Sequence, residues 1–301
     1  MATDKKRRLT RSNIGYVGPD GVKPYSWNVG GFGCSNIADC PGCYAKAMCR
    51  RSRCPDCAAF KVHSHPERLC EPANTRKPGV VLVDFLSDWC DPNRPDEDWF
   101  AVMLAYATAQ DRGHVYVTLT KQVSRLKALL GSIPGMTDDD MFHGLTIRHQ
   151  QDADAKLPVF LSIPGKLWIS YEPAWGPVNF QYIRTGPDQP MHGHPDVTWH
   201  PCGNALRKPK SPEPGAEVIV PARWHGIEGM IIGHDNRRGA PGTDTLDHIR
   251  DAVRQCKAAG VKVYCKQIWH KGKLLRANHP EEYAQYPHDL KWRQLPWSDH
   301  E

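Results

Sequence analysis

Seven short apolar runs recur along this chain, and their spacing constrains its fold more than any other feature. They are "YSWNVG" (25–30), "GVVLVDF" (79–85), "HVYVTLT" (114–120), "HGLTIR" (143–148), "KLWISYE" (166–172), "EGMIIGH" (228–234) and "VKVYCKQ" (261–267). Most are continuously apolar rather than alternating, the pattern of strands buried on both faces. Helical patterns lie between them. "DEDWFAVMLAYATAQ" (96–110) opens on acidic residues that suit a helix N-terminus, and "KQVSRLKALLG" (121–131) ends in the glycine that suits a C-cap. A short helix is expected near 150–157 and a longer one over "DTLDHIRDAVRQCKAAG" (244–260). This alternation predicts an α/β fold with parallel strands, a partial or complete (βα) barrel first and a doubly wound sheet second. No repeat in the sequence marks either.

The rhythm breaks in three places. Residues 1–23 hold Lys5, Lys6, Arg7, Arg8 and Arg11 and are expected to form a flexible basic arm. Residues 179–227, rich in Pro, Gly and His, read as a long insertion, a lid or an excursion. Residues 271–301 read as an irregular C-terminal cap, which leaves 24–270 as a single barrel domain. The formal charge of +6 is modest, yet Arg50, Arg51 and Arg53 add a second basic run. Such runs meet phosphates, or simply solvate a terminus and a helix face.

That second run lies among thiols. "GFGCSNIADCPGCYAKAMCRRSRCPDC" (31–57) holds six of the eleven cysteines, and Cys70 follows closely. A disulfide framework belongs to small secreted chains that cannot bury a core, and 301 residues can bury one. The opening "MATDKKRRLTRSN" lacks the apolar core and cleavage site of a secretory signal. No run of about 18 apolar residues exists that would span a membrane. The expectation is a cytoplasmic protein with no membrane partner, whose reduced thiols bind metal.

Spacing divides the thiols. Cys34, Cys40 and Cys43 form C-x5-C-x2-C in a glycine-rich loop after the first strand, with a helix expected from "YAKAM". Three thiolates leave one position of a four-coordinate site open, which suits an Fe–S cluster with an unligated iron or a catalytic zinc. A fourth ligand from elsewhere would close a structural zinc knot instead. Cys49, Cys54, Cys57 and Cys70 form the second set, with His63 and His65 nearby. Cys54-Pro-Asp-Cys57 has zinc-knuckle spacing, and Cys70 with Cys49 or His65 would complete a closed zinc site. Cys256 and Cys265, in a helix and a strand, read as small buried hydrophobes.

Seven collinear stretches carry a resemblance. They are "WNVGGFGC…CPGCYA", "HPERL" (65–69), "VLVDFLSDWCDP" (81–92), "VTLTKQVSRL" (117–126), "GLTIRHQQDADAKLP" (144–158), "ISYEPAWGPV" (169–178) and "CKAAGVKVYCKQIW" (256–269). On these residues the chain resembles the phage and prophage family named after gene products 37 and 68. Its three-cysteine-motif members look like relatives of radical S-adenosylmethionine enzymes. The resemblance implies a partial (βα) barrel in which Cys34, Cys40 and Cys43 hold a [4Fe–4S] cluster. The open iron would chelate S-adenosylmethionine, and one-electron reduction would cleave its sulfonium to a 5′-deoxyadenosyl radical. Two features depart from that pattern. The usual C-x3-C-x2-C is lengthened here, and the Gly-Gly-Glu-Ser turn is replaced by "GHDN" (233–236). Cys49, Cys54, Cys57 and Cys70 are extra to it and favour an added zinc site over a second cluster.

In a (βα) barrel the chemistry sits at the C-terminal ends of the strands. Asp84, Ser87, Asp88, Thr120, Lys121, Arg148, His149, Glu172, His234, Asp235, Lys266 and Gln267 all fall there. Asp88 and Glu172 are the candidate acid, base or nucleophile, and Lys121 and Lys266 the candidate partners of a carboxylate or phosphate. Trp89, Trp175 and Trp269 would stack on a base or pack in the core. The leading expectation is an iron–sulfur enzyme of radical type that modifies a nucleotide or DNA. The second is a DNA base-exchanging transglycosylase of the 7-deazaguanine type, with a structural zinc and Asp88 or Glu172 as nucleophile. The third is a zinc-stapled nucleic-acid-binding module without catalysis.

Overall fold

The computed structural model describes residues 7–17, 20–36, 40–132, 141–184, 189–191, 194–199, 202–206 and 226–298. Nine strands make one mixed, mostly parallel sheet, and their order along the chain is their order across it. They are β1 (Thr10–Arg11), β2 (Tyr25–Trp27), β3 (Val80–Val83), β4 (Val115–Thr120), β5 (Met141–Thr146), β6 (Lys166–Tyr171), β7 (Ile227–Gly233), β8 (Lys262–His270) and β9 (Lys273–Arg276). Each of the seven apolar runs overlaps one of the strands β2 to β8. The chain divides into two compact units, Met1–Leu145 with Trp297–Glu301, and Thr146–Pro296.

In the first unit β2, β3, β4 and β5 run parallel, with Trp27 opposite Val83, Val83 opposite Thr118 and Thr118 opposite His143. Trp27, Val81, Leu82, Val83 and Val117 have no exposure, as continuous apolar strands require. The helices are α1 (Tyr44–Cys49), α2 (Pro55–Ala58), α3 (Glu71–Asn74), α4 (Asp96–Ala107) and α5 (Val123–Gly131). Asp96, Glu97 and Asp98 occupy the first turn of α4, where unpaired N–H groups favour negative charge. That helix buries Trp99, Val102, Met103 and Tyr106, one face of a 3.6-residue period, and Tyr106 meets Tyr116 of β4 edge-on at 4.7 Å.

The described part of the expected flexible arm is docked. β1 pairs antiparallel with β2, the buried Leu9 donates its N–H to Thr75 Oγ1 at 2.9 Å, and the Arg11 guanidinium lies 3.8 Å over the Tyr25 ring. Lys5 and Lys6 lie outside the described residues.

In the second unit β6, β7 and β8 are parallel and β9 returns antiparallel along β8. α6 (Gln150–Phe160) runs through Pro158, beyond its expected end, and is capped by His149, whose Nδ1 accepts the Asp152 N–H at 3.2 Å. α7 (Asp247–Ala259) stops at Gly260, whose φ of 72° lets the Val261 N–H reach the Cys256 carbonyl at 2.9 Å. The tail read as irregular contains β9 and α8 (Pro280–Ala284). The expected insertion is anchored at its described ends: the Phe180 N–H donates to Gln255 Oε1 at 2.8 Å and the Ala205 N–H to the Phe180 carbonyl at 2.9 Å. Its residues 207–225 lie outside the described set. Among the described residues, no helix is long and apolar enough to cross a membrane.

Burial holds His114, His143, His234 and His248 below the ordinary imidazole value, His143 and His234 down to about 4. Each is neutral when folded and binds a proton more readily when unfolded. Their contribution is therefore whole above the unfolded value of about 6.5 and is lost as the pH falls toward the folded one. His143→Gln, which removes the titration, should flatten the acid loss of stability by on the order of 3 kcal/mol. Urea unfolding of parent and variant at neutral and acidic pH measures the difference.

Candidate metal centre

Among the described residues, one group of ligand-type side chains converges. Cys54, Cys57, His63 and His65 place their ligand atoms within 4.8 Å of one another. The local fold explains it. Cys54 caps α2, Pro55 opens it, and Cys57 follows a turn later on the same side. Phe60, at φ 55°, then reverses the chain, with the Lys61 N–H bonded to the Asp56 carbonyl at 3.0 Å. His63 and His65 sit two apart in the extended segment that follows, so they point the same way.

The tautomers follow from the acceptors. His63 Nδ1 lies 2.8 Å from the Lys61 carbonyl, and His65 Nδ1 lies 3.1 Å from Glu67 Oε1. A carbonyl and a carboxylate only accept, so both Nδ1 atoms carry the proton and both Nε2 atoms present lone pairs. Those two Nε2 atoms face each other at 2.9 Å, each 3.3 Å from Cys57 Sγ, and His63 Nε2 is 3.6 Å from Cys54 Sγ. Facing lone pairs repel unless a cation lies among them. Two sulfurs and two imidazoles, each ring oriented by a second acceptor, are a donor set that fits zinc.

Cys70 and Cys49 stand outside this group: His63 takes the place expected of Cys70, and His65, the alternative to Cys49, takes the fourth. Cys70 is exposed, its Sγ 3.7 Å from the Glu67 carbonyl. Cys49 is buried beside Ala45 and Phe60, with its thiol turned to the Lys46 and Ala58 carbonyls at 3.0 and 3.5 Å. The usable signal was the Cys-x2-Cys-x5-His-x-His spacing.

The glycine-rich loop lies directly on this group. A Cβ on Gly31, at φ 55°, would stand 2.8 Å from the His65 ring and 2.9 Å from Cys57 Sγ. The Phe32 N–H donates to Cys57 Sγ at 3.4 Å, and a Cβ on Gly33 would collide with the Lys61 carbonyl.

On its other side the same loop is held by three buried aspartates. Asp84 Oδ1 accepts the Gly30 N–H at 2.7 Å, while its other oxygen pairs with the buried Arg94. Asp91 accepts the Ser35 N–H at 2.6 Å and the Ser35 hydroxyl at 2.9 Å. Asp88 accepts from Asn36 Nδ2 at 3.2 Å, the Lys121 N–H at 3.0 Å, the Cys90 N–H at 3.0 Å and the Thr120 hydroxyl. Gln122 ties Asn36 from β4's end. Asp91, Ser35, Asn36 and Gln122 were not singled out from sequence. Cys34 therefore emerges at the C-terminal ends of β3 and β4.

Cys34 and Cys43 pack against the Ala45, Cys49 and Phe60 cluster, and Cys43 caps α1. Residues 37–39, just before Cys40, lie outside the described set. The three thiols are partly exposed and form no disulfide. Burial pushes the Cys34 thiol up to about 12, against a bond from the Asn36 N–H and with Asp88 and Asp91 adding to the effect, so the free sulfur keeps its proton at neutral pH.

The remaining candidates lie in the second unit. Glu172 Oε1 pairs with Lys266 Nζ at 3.2 Å, and a Cβ on Gly233 would stand 2.9 Å from that same oxygen. His234 Nδ1 accepts the Trp269 N–H at 2.9 Å, and Gln267 Nε2 donates to the His234 carbonyl at 2.7 Å. Burial pushes the Asp235 carboxyl up, but bonds from Arg237 and Trp175 hold it below its ordinary value. Trp175 and Trp269 are pinned by Asp235, at 3.3 Å to its carboxylate and 2.8 Å to its carbonyl. Trp89 has no exposure and packs 5.6 Å from Trp99, a core role.

A family model described as "Protein of unknown function (DUF5131)" matches residues 23–296. No curated protein and no solved structure matches the chain.

The packing of Gly31 supplies a test. Gly31→Ala should leave well under half of the zinc carried by the parent, about one per chain for a closed four-ligand site. Gly21→Ala, at φ 76° with nothing within 4 Å, carries comparable backbone strain without the contact and should keep its zinc. Elemental analysis of the purified proteins measures both.

Proposed function

We propose that this chain, which belongs to the DUF5131 family of proteins of unknown function, is a metal-assembled α/β enzyme of radical S-adenosylmethionine type that modifies a nucleotide or nucleic acid. The observation that carries the reading is the tether. The loop bearing Cys34 is hydrogen-bonded to Asp88 and Asp91 at the C-terminal ends of parallel strands, the edge at which α/β enzymes bind and transform ligands.

Cys34, Cys40 and Cys43 would hold a [4Fe–4S] cluster, for which three unpaired, partly exposed thiols are a fitting donor set. Such a cluster supplies one-electron reduction, the chemistry that turns the sulfonium of S-adenosylmethionine into a radical source. Cys54, Cys57, His63 and His65 would hold zinc in a closed site whose part is structural. Asp88 is then a positioning residue, because each of its oxygens already accepts two hydrogen bonds. The same commitment weighs against base exchange with Asp88 as nucleophile, since an attacking oxygen must first shed its donors. Lys121, on the strand end beside it, is the cation offered to a carboxylate or phosphate. Glu172 and Lys266 are the pair available for proton transfer.

Anaerobic reconstitution with iron and sulfide tests this reading. The expected product absorbs broadly near the blue edge of the visible and carries about four irons per chain. Cys34→Ala should lose that iron and keep its zinc. A chain that stays colourless and holds zinc alone overturns the proposal. Asp88→Asn introduces an amide N–H among four donors, so several-fold less iron should be retained while zinc content and fold persist. Iron loading equal to the parent's would show that Asp88 does not position the loop.

A further inference from the structure

We infer that the exposed ridge formed by α1 and the turn after it is a binding track for single-stranded nucleic acid. α1 buries only Ala45 and Cys49, which leaves the rest of its surface in solvent. Tyr44 and Met48, one turn apart, are 44% and 40% exposed. Lys46, Arg50, Arg51 and Arg53 are exposed around them, and none is within ion-pair distance of a carboxylate among the described residues. Elsewhere in the chain Arg125, Arg250 and Arg254 each find one, at 2.5, 2.8 and 2.9 Å. Four unneutralised cations within eight residues are a concentrated positive field, complementary to a phosphate backbone.

The apolar side of the ridge narrows the partner. The Tyr44 hydroxyl donates to the Phe85 carbonyl, which fixes an exposed ring in place. A pinned aromatic ring flanked by cations is the pairing that holds unstacked bases and tracks their phosphates. A duplex keeps its base faces stacked and offers nothing to that ring. An acidic protein surface would use the cations and leave the ring idle. Cys43 immediately precedes Tyr44, so a strand on the ridge lies beside the three-cysteine loop. The inference names the substrate class of the site proposed above and in that respect rests on it, although binding itself needs no turnover.

Fluorescence anisotropy with a labelled mixed-sequence oligodeoxynucleotide of about 20 residues, single-stranded or duplex, tests it between roughly 50 and 200 mM salt. Tighter binding of the single strand is expected. Replacing Arg50, Arg51 and Arg53 together by Gln should flatten the log–log salt slope by about 2, since each single-strand phosphate contact contributes about 0.7. Tyr44→Leu should weaken binding about five- to a hundred-fold, while Tyr44→Phe, which keeps the ring and loses only the hydroxyl that pins it, should weaken it less. Zinc content equal to the parent's confirms that the variants are folded. An unchanged affinity and salt slope in the triple variant overturns the inference, as does equal affinity for the duplex or equally effective competition by polyglutamate. Protein that assembles its cluster but binds no strand defeats the ridge alone. Protein that binds the strand yet takes up no iron defeats the enzyme reading alone.

Discussion

A carboxylate taken out of water is costly unless its lone pairs find donors, and the segment after β3 buries three of them. Asp84, Asp88 and Asp91 meet that requirement with backbone and side-chain donors from residues 30–36, together with Arg94, Cys90, Thr120 and Lys121. The exchange is mutual. The loop supplies the hydrogen bonds that make the aspartates tolerable, and the aspartates give a glycine-rich segment, which has little reason to be ordered by itself, a single conformation. The placement of the Cys34 thiol depends on that arrangement.

The converging Cys54, Cys57, His63 and His65 group works on the same loop from the opposite side. Gly31, Phe32 and Gly33 are accommodated because two of these positions have no side chain and the third offers an N–H to sulfur. The two sets of cysteines, which look like neighbours by accident of sequence, thus share one strip of backbone between them. Cys49 completes the picture as packing: it belongs to the small apolar cluster against which Cys34 and Cys43 pack.

The strands were readable because parallel strands covered on both faces leave an uninterrupted apolar trace, as in "VVLV" and "VYVTLT". β1 left none, being two exposed residues long, and β9 left little, its burial broken by Lys273. Helix α6 was read short because Pro158 usually ends a helix, whereas here it sits in the last turn, where one missing bond costs little. At the metal centre, Cys54 and Cys57 were legible from spacing and His63 was not ranked as a ligand. What selects it is a left-handed residue at Phe60, a backbone event that an aromatic side chain gives no reason to anticipate. Asp88 was legible as a strand-end acid, and the four donors that its carboxylate accepts from were not, because they come from residues 36, 90, 120 and 121.

The close fit of Gly31 against Cys57 and His65 also couples the two sulfur-rich groups. With Gly31 and Phe32 in place, the approach to those two ligand atoms is covered by backbone from the side of the loop. A cation bound by that group would have its widest access with residues 30–33 unseated. Cys34 acquires its final position only once those residues are down. The strip of backbone that covers the inner group therefore also sets the place of Cys34 in the outer one.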